Sequence, residues 1–171
     1  VRSLAASLTA TWLVCILGHG IYGADGTNAV SAGTNQLVTR TGLRLADIRV
    51  HDPFILAHEA SRTYYLYTAT GRRQGLARSG VVTYRSKDLS SWDGPYLVFT
   101  VPDGAWASPR NGVWAPEVHA YRGAFFLFCT LHNNSSILSV PPQSVRTNHL
   151  RGSVIARSET PEGPFQLLKT S

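Results

Sequence analysis

One pattern of short strands occurs twice in the chain, and this repeat restricts the fold more than any other feature. Aromatic and β-branched runs separated by turn residues are typical of strands, and no sustained helical period interrupts them. Four runs of the first unit match four runs of the second: 53–56 matches 116–119, 63–68 matches 124–130, 80–85 matches 152–157, and 93–96 matches 162–165. The last pair is an acid-Gly-Pro-aromatic step in both units. Matching positions lie 61 to 72 residues apart, so the sequence contains one structural unit twice.

Four antiparallel strands per unit at this period are typical of a β-propeller blade. The sequence therefore predicts an all-β fold in which residues 43–171 form about the first two blades of a β-propeller. A blade buries its faces against its neighbours, and propellers typically need about four or more blades to close the ring. We expect the chain to be the first part of a longer propeller or an incomplete gene product. We also expect the open face of the second blade to limit solubility.

The N-terminal residues have the composition of a secretory signal. Arg2 precedes an apolar stretch that is followed by small residues, and this order predicts a signal peptide over residues 1–24. A buried N-terminal helix is the alternative. Residues 25–42, rich in Gly, Thr, Asn and Ser, predict a flexible leader. The expected location is secreted, periplasmic or extracellular.

The net charge of +6 comes from 14 arginines and 2 lysines against 10 acidic residues, and the arginines are scattered along the chain and not set in long runs. Nucleic-acid binders usually concentrate such charge on one stripe with aromatic residues between, so we expect no nucleic-acid partner. No long apolar run follows the predicted signal, so we expect no stable membrane insertion after its cleavage. The two cysteines are too few for a disulfide scaffold, and Cys129 in its hydrophobic run is predicted to be an inert core thiol.

Four motifs in order resemble glycoside hydrolase family 43, the five-bladed propeller glycosidases. The motifs are Val-His-Asp-Pro-Phe-Ile-Leu at 50–56, Tyr-Arg-Ser-Lys-Asp-Leu-Ser-Ser-Trp at 84–92, Val-Trp-Ala-Pro-Glu-Val at 113–118, and Ala-Arg-Ser-Glu-Thr-Pro-Glu-Gly-Pro-Phe at 156–165. The resemblance covers residues 43–168. It implies inverting hydrolysis of glycosidic bonds in arabinose- or xylose-containing polysaccharides or oligosaccharides.

The resemblance implies that Asp52 is the general base, which activates water on one face of the sugar. From the residues alone, Asp52 could instead cap the start of a strand. The family's other two carboxylates belong to later blades and are not found in this sequence; the second unit has Ala115 where the first has Asp52. We therefore expect the 171-residue chain by itself to hydrolyse nothing measurable. A catalytically inactive carbohydrate-binding fragment is the alternative function.

Four further residues are candidates for substrate binding: Trp114, His51, Phe54 and Glu117. Trp114 offers an aromatic face for a sugar ring, although an ordinary core tryptophan is nearly as good an interpretation. His51 stands where the family commonly has Arg, and Glu117 fits a structural hydrogen bond better than an acid role. The histidines have no ligand spacing, so no metal site or cofactor is predicted; a structural calcium belongs to later blades of the family fold.

The segment 86–92 predicts a turn rather than a sialidase-type Asp-box, because Asp88 and Trp92 are one residue too close together and the glycine is missing. We expect Asp88 to accept hydrogen bonds from the amides of the turn. Trp92 is expected to pack between blades.

Overall fold

The short aromatic and β-branched runs form two antiparallel sheets in the computed structural model, which describes residues 37–139 and 148–168. The strands of the first sheet are β1 (Arg40–Leu43), β2 (Phe54–His58), β3 (Thr63–Thr70), β4 (Gly80–Ser86) and β5 (Trp92–Thr100). Those of the second are β6 (Trp114–Tyr121), β7 (Ala124–Ser139), β8 (Asn148–Ser158) and β9 (Gln166–Leu167). The helical elements among the described residues are single 3-10 turns at Leu45–Asp47, Glu59–Ser61 and Arg72–Gln74.

The strand order is β1-β5-β4-β3-β2 in the first sheet and β6-β7-β8-β9 in the second. Strands β2 to β5 and β6 to β9 are therefore meanders of hairpins, and β1 adds to the first sheet beside β5. The edge strands β2 and β6 approach each other. The two sheets form part of a propeller and neither closes on itself, which confirms the prediction of an all-β fold with about two blades. The predicted runs all lie in strands or in the turn before β9.

The main core lies between the two sheets. Successive side chains of a strand point to opposite faces, so Tyr65 and Tyr67 of β3 reach the second sheet while Leu66 points away from it. They meet Val118 and Leu127, which are fully buried. Two hydrogen bonds add to this packing: the Tyr67 hydroxyl donates to the Pro161 carbonyl at 2.6 Å, and the Phe165 amide donates to the Val98 carbonyl at 2.8 Å.

A second cluster covers the other face of the first sheet, and it corrects two expectations. β1 pairs with β5, with Leu43 opposite Trp92, so the last three residues of the predicted leader, 40–42, belong to a strand. Trp92 is buried against Leu43 and Ile48 and not between the two blades described here. Composition could not show this pairing, because the strand's partner lies about 50 residues away. The predicted signal at 1–24 and the leader up to residue 36 lie outside the described residues.

The turn between β4 and β5 forms as predicted. The Asp88 Oδ1 accepts the amides of Ser90 at 2.8 Å and Ser91 at 2.9 Å, and these bonds from Ser91 and then Ser90 lower the pKa of the carboxyl. Asp88 therefore has a folding role in this hairpin. Within the described residues, no helix has the length and apolar character needed to cross a bilayer.

The second sheet leaves one face exposed in the described structure. Tyr121, Phe128 and Ile155 are between about two-fifths and three-fifths exposed on neighbouring strands of this face. An apolar area of this kind favours association with another surface. The expected low solubility of the chain remains a prediction.

Two glycines have the same backbone conformation, but we expect them to differ in how well they tolerate an added side chain. Gly104 and Gly163 both have φ +75°, but a Cβ on Gly163 would come within 2.8 Å of the Val98 carbonyl oxygen, whereas a Cβ on Gly104 meets nothing within 4 Å. Gly104→Ala should lower the free energy of unfolding by about 1–2 kcal/mol, because alanine is strained in the left-handed conformation. Gly163→Ala should lower the free energy of unfolding by about 1–3 kcal/mol more, because the added methyl group forces the two sheets apart locally. Urea unfolding of both variants measures the difference, and equal losses would contradict the packing described here.

The Asp88 turn predicts a pH-dependent contribution to stability. A carboxyl whose pKa is lowered in the folded state stabilises the fold above its unfolded pKa of about 3.8, and this stabilisation disappears as the pH falls through the folded value. Asp88→Asn keeps an acceptor oxygen and removes the charge. The variant should be less stable than the parent at pH 7, and the gap should narrow as the pH falls below 4. A gap in the urea midpoints that is the same at pH 7 and pH 3 would contradict this role.

Candidate functional site

The candidate site begins where the chain enters β2. The Thr68 hydroxyl on β3 accepts the His51 amide at 2.8 Å and donates to the His51 carbonyl at 3.0 Å. Thr68 is buried, so both bonds hold the backbone of the segment before Pro53 against the sheet. This contact places Asp52, the next residue, at the start of the innermost strand of its blade.

Asp52 has a left-handed backbone, with φ 47°, directly before a proline. The matching residue of the second unit, Ala115, has φ 45° and also precedes a proline. Left-handed backbone is costly for both residue types, so the shared geometry belongs to the way a blade starts and not to a reaction. What distinguishes Asp52 is its side chain, which is half exposed and accepts a contact from His51 Nδ1 to Oδ2 at 3.1 Å.

A cavity of about 520 Å³ lies beside this segment, between the start of β2, the β3–β4 connection and the start of β6. His51 and Trp114 line it, so the structure brings together two of the predicted substrate-binding residues. Thr70 contributes a buried hydroxyl for which the described residues offer no hydrogen-bond partner. Asp52 directly follows the lining residue His51. We call this space the His51–Trp114 cavity.

Two neighbouring side chains contact the Trp114 ring. Its ring packs edge-on against the buried His132, with ring centroids 3.9 Å apart, and the Arg151 guanidinium lies 5.4 Å from the Trp114 ring centre. Burial, and then the charge of Arg151, lower the pKa of His132, so this imidazole is neutral at neutral pH. Trp114 itself is 41% exposed, which leaves part of its aromatic surface open to a ligand.

The other two predicted binding residues lie elsewhere. The Phe54 ring packs against His119, with ring centroids 5.2 Å apart, and it joins the inter-sheet core. Glu117 lies on the exposed face of the second sheet, where its Oε2 is 3.3 Å from His119 Nε2. There it lines a separate, mostly apolar cavity of about 790 Å³ together with Phe126 and Phe128. Neither residue lines the His51–Trp114 cavity.

Metal-ligating side chains do not converge in the part of the chain described here: no three His, Cys, Asp or Glu side chains there could hold one ion. Cys129 is a free thiol in the inter-sheet core, and burial raises its pKa to about 12. The burial of Cys129 confirms its predicted position in the core, and a protonated thiol is a poor nucleophile.

The sequence profile of glycosyl hydrolases family 43 matches residues 45–169, which is most of the chain. The chain belongs to glycosyl hydrolase family 43. No curated protein sequence matches it.

Solved structures agree with this assignment. The endo-arabinase from Bacteroides thetaiotaomicron is 28% identical, with a TM-score of 0.57 over 77% of this chain and 39% of that one. The RS223 β-xylosidase is 15% identical, with a TM-score of 0.54 over 77% of this chain and 39% of that one. An exo-β-1,3-galactanase from Phanerochaete chrysosporium is 17% identical, with a TM-score of 0.54 over 78% of this chain and 29% of that one. The last two show the fold alone. The chain spans less than two-fifths of the length of these enzymes.

The family-43 motifs do not mark all the residues that shape this cavity. Arg49, Arg72 and Arg110 also line it, and Thr68 and His132 support its walls. These residues come from four separated segments of the sequence, and the three arginines are far from one another along the chain. A local motif search has no signal for them, because only the packing of one blade against the next brings them together.

The Thr68 contact predicts a difference between two buried threonines of one strand. Thr68→Val removes the hydroxyl that binds both backbone groups of His51 and should destabilise the chain by about 1–3 kcal/mol. Thr70→Val removes a buried hydroxyl that has no partner among the described residues, so it should be neutral or stabilising. Urea unfolding of the two variants measures this contrast. A Thr68→Val variant as stable as the parent would mean that the His51 contact contributes nothing.

Proposed function

We propose that this chain provides the first two blades of an inverting glycoside hydrolase for arabinose- or xylose-containing glycans, with Asp52 as general base. The observation that carries the proposal is the position of Asp52. Its half-exposed carboxylate stands at the start of an innermost strand, next to a cavity that has an exposed tryptophan on its wall. Membership of family 43 and the 28% identical endo-arabinase supply the reaction class.

The proposed chemistry needs a carboxylate that accepts a proton from water as the water attacks the anomeric carbon. Asp52 would take that proton on a carboxylate oxygen, and the contact from His51 Nδ1 to Oδ2 leaves the other oxygen available. On the opposite side of the sugar, a carboxylic acid about 6.5–9.5 Å from the base gives its proton to the leaving oxygen. By family resemblance this acid comes from a later blade.

Trp114 is proposed to bind the sugar ring and not to take part in proton transfer. Sugar rings have apolar faces of C–H groups that pack on aromatic rings. The edge-on contact with His132 prevents the indole from rotating away, and the exposed part of the ring lies in the same cavity as His51. This arrangement orders the sugar beside Asp52 before any bond changes.

Binding without catalysis is the second candidate function. The cavity and Trp114 would serve a carbohydrate-binding fragment equally well, because binding a sugar needs neither the base nor the acid. In both cases the substrate is a polysaccharide or oligosaccharide. The signal-like N-terminal residues support a secreted, periplasmic or extracellular location, where such polymers are met.

A glycosyl fluoride separates the two functions, because fluoride leaves without help from a proton donor. The expectation that the 171-residue chain alone hydrolyses nothing measurable rests on the missing proton donor and so concerns glycosides. A fluoride needs no such donor, so the chain should hydrolyse the arabinosyl or xylosyl fluoride of matching anomeric configuration to the sugar of opposite configuration. It should release nothing measurable from arabino- or xylo-oligosaccharides. Asp52→Asn should lower the fluoride rate by about 10²–10⁴-fold. Proton NMR of the fresh product gives both the rate and the configuration.

The matched control is Asp103→Asn, which changes an exposed aspartate that is ion-paired with Arg78. This variant should keep the parent rate. Hydrolysis that persists in Asp52→Asn, or a product of retained configuration, would contradict Asp52 as the base of an inverting reaction. Binding of the oligosaccharide with no fluoride hydrolysis would favour the binding function.

A further inference from the structure

Some arginines of this chain form ion pairs with acidic residues, and others do not. Four of them form ion pairs: Arg44 with Asp47, Arg78 with Asp103, Arg85 with Glu162, and Arg157 with Glu159. The three that line the His51–Trp114 cavity, Arg49, Arg72 and Arg110, form none with any described carboxylate. The same is true of Arg151, which lies over the Trp114 ring.

These four arginines are concentrated in one place, although they are scattered in the sequence. They come from the segment before β2, the β3–β4 connection, the segment before β6, and β8. Among the arginines whose side chains the structure describes, Arg40, Arg62 and Arg122 also lie outside ion pairs, and the last two are in exposed hairpin turns. None of these three lines the His51–Trp114 cavity.

No described lining residue of the cavity is an aspartate or a glutamate. Asp52, just beyond His51, is the nearby carboxylate along the chain, and its oxygen contacts His51 and none of the arginines. A concave surface with several guanidinium groups and no lining carboxylate attracts anions, because its positive potential is not neutralised locally. Guanidinium also pairs with planar or tetrahedral oxyanions through two parallel hydrogen bonds.

Neutral pentoses give these guanidinium groups no charge to pair with. Resting on the proposed function, we infer that the His51–Trp114 cavity binds an acidic glycan, in which a sugar carrying a carboxylate or a sulfate ester lies against Arg49, Arg72 and Arg110. Trp114 packs on a neighbouring sugar ring, and Asp52 faces the bond to be cleaved. The cavity is therefore selective for charged decoration of the glycan as well as for its sugar type.

A folded nucleic acid is the competing polyanion, and the shape of the site argues against it. The cations lie in one cavity of about 520 Å³ with one exposed tryptophan. A nucleic-acid surface would carry them along an extended stripe with several aromatic residues.

Binding to the 171-residue chain tests the inference with matched ligands. The acidic ligand is a xylo-oligosaccharide bearing one glucuronic acid, and its neutral match is the methyl ester of that acid. A singly sulfated xylo-oligosaccharide provides the second anion. By isothermal titration calorimetry at low salt, at least one of the two anionic ligands should bind about tenfold more tightly than the ester, since one charged hydrogen-bonded pair contributes about that factor. Added salt should reduce this preference.

Arginine variants show whether the cavity is responsible. Arg72→Gln and, independently, Arg110→Gln should lose most of the preference while their affinity for the methyl ester stays the same, which also shows that they fold. Arg122→Gln, in an exposed hairpin turn, should keep the full preference. The inference is wrong if ester and anionic ligands bind equally or not at all. It is also wrong if Arg122→Gln has the same effect as the cavity variants, or if an RNA oligonucleotide binds as tightly as the anionic sugars.

The outcome is separable from that of the proposed hydrolysis. Asp52→Asn should still prefer the anionic ligands over the methyl ester, because the preference comes from the arginines. Acid-selective binding without fluoride hydrolysis would overturn the proposed enzyme and keep this inference. Fluoride hydrolysis without a preference for acidic ligands would keep the proposed enzyme and overturn this inference.

Discussion

The packing of one sheet against the next determines most of this structure. A four-stranded sheet of mixed aromatic and aliphatic residues has two apolar faces, and leaving either face in water makes the folded state much less stable. Here Tyr65 and Tyr67 of the first sheet and Val118 and Leu127 of the second are buried against each other. This contact brings the starts of the two innermost strands together, and the His51–Trp114 cavity lies at that junction. The site is thus a consequence of inter-blade packing and not of any single loop.

The two units separate what the fold requires from what the chemistry requires. Asp52 and Ala115 occupy matching positions, share a left-handed backbone and precede a proline, so the fold demands this conformation at the start of a blade whichever residue is present. Only the first unit combines it with a carboxylate. The conformation therefore gives no information about catalysis, whereas the exposure of the Asp52 side chain beside the cavity does. Duplicated units provide this comparison within one molecule.

The electrostatics of the cavity link stability to function. Cations gathered without local carboxylates repel one another, and a chain selected only for stability would pair or disperse them, as it does with Arg78 and Arg85. Functional sites often keep such unfavourable local arrangements because a ligand compensates them. In the proposed complex an acidic sugar would supply that compensation, and the exposed face of Trp114 would pack on a neighbouring sugar ring.

Most of the strands, the hairpin turns and the order of the two units could be predicted from the amino-acid sequence, because these features depend on interactions between near neighbours. Aromatic and β-branched runs predicted β3 and the first half of β7, Asp88 predicted the turn before β5, and the family resemblance singled out Asp52. Tertiary structure alone decided that β1 pairs with β5, that Trp92 packs on the outer face, and that Phe54 and Glu117 lie away from Trp114. It also decided which arginines meet. These contacts join residues tens of positions apart, and their geometry depends on how two sheets settle against each other, which no local pattern encodes.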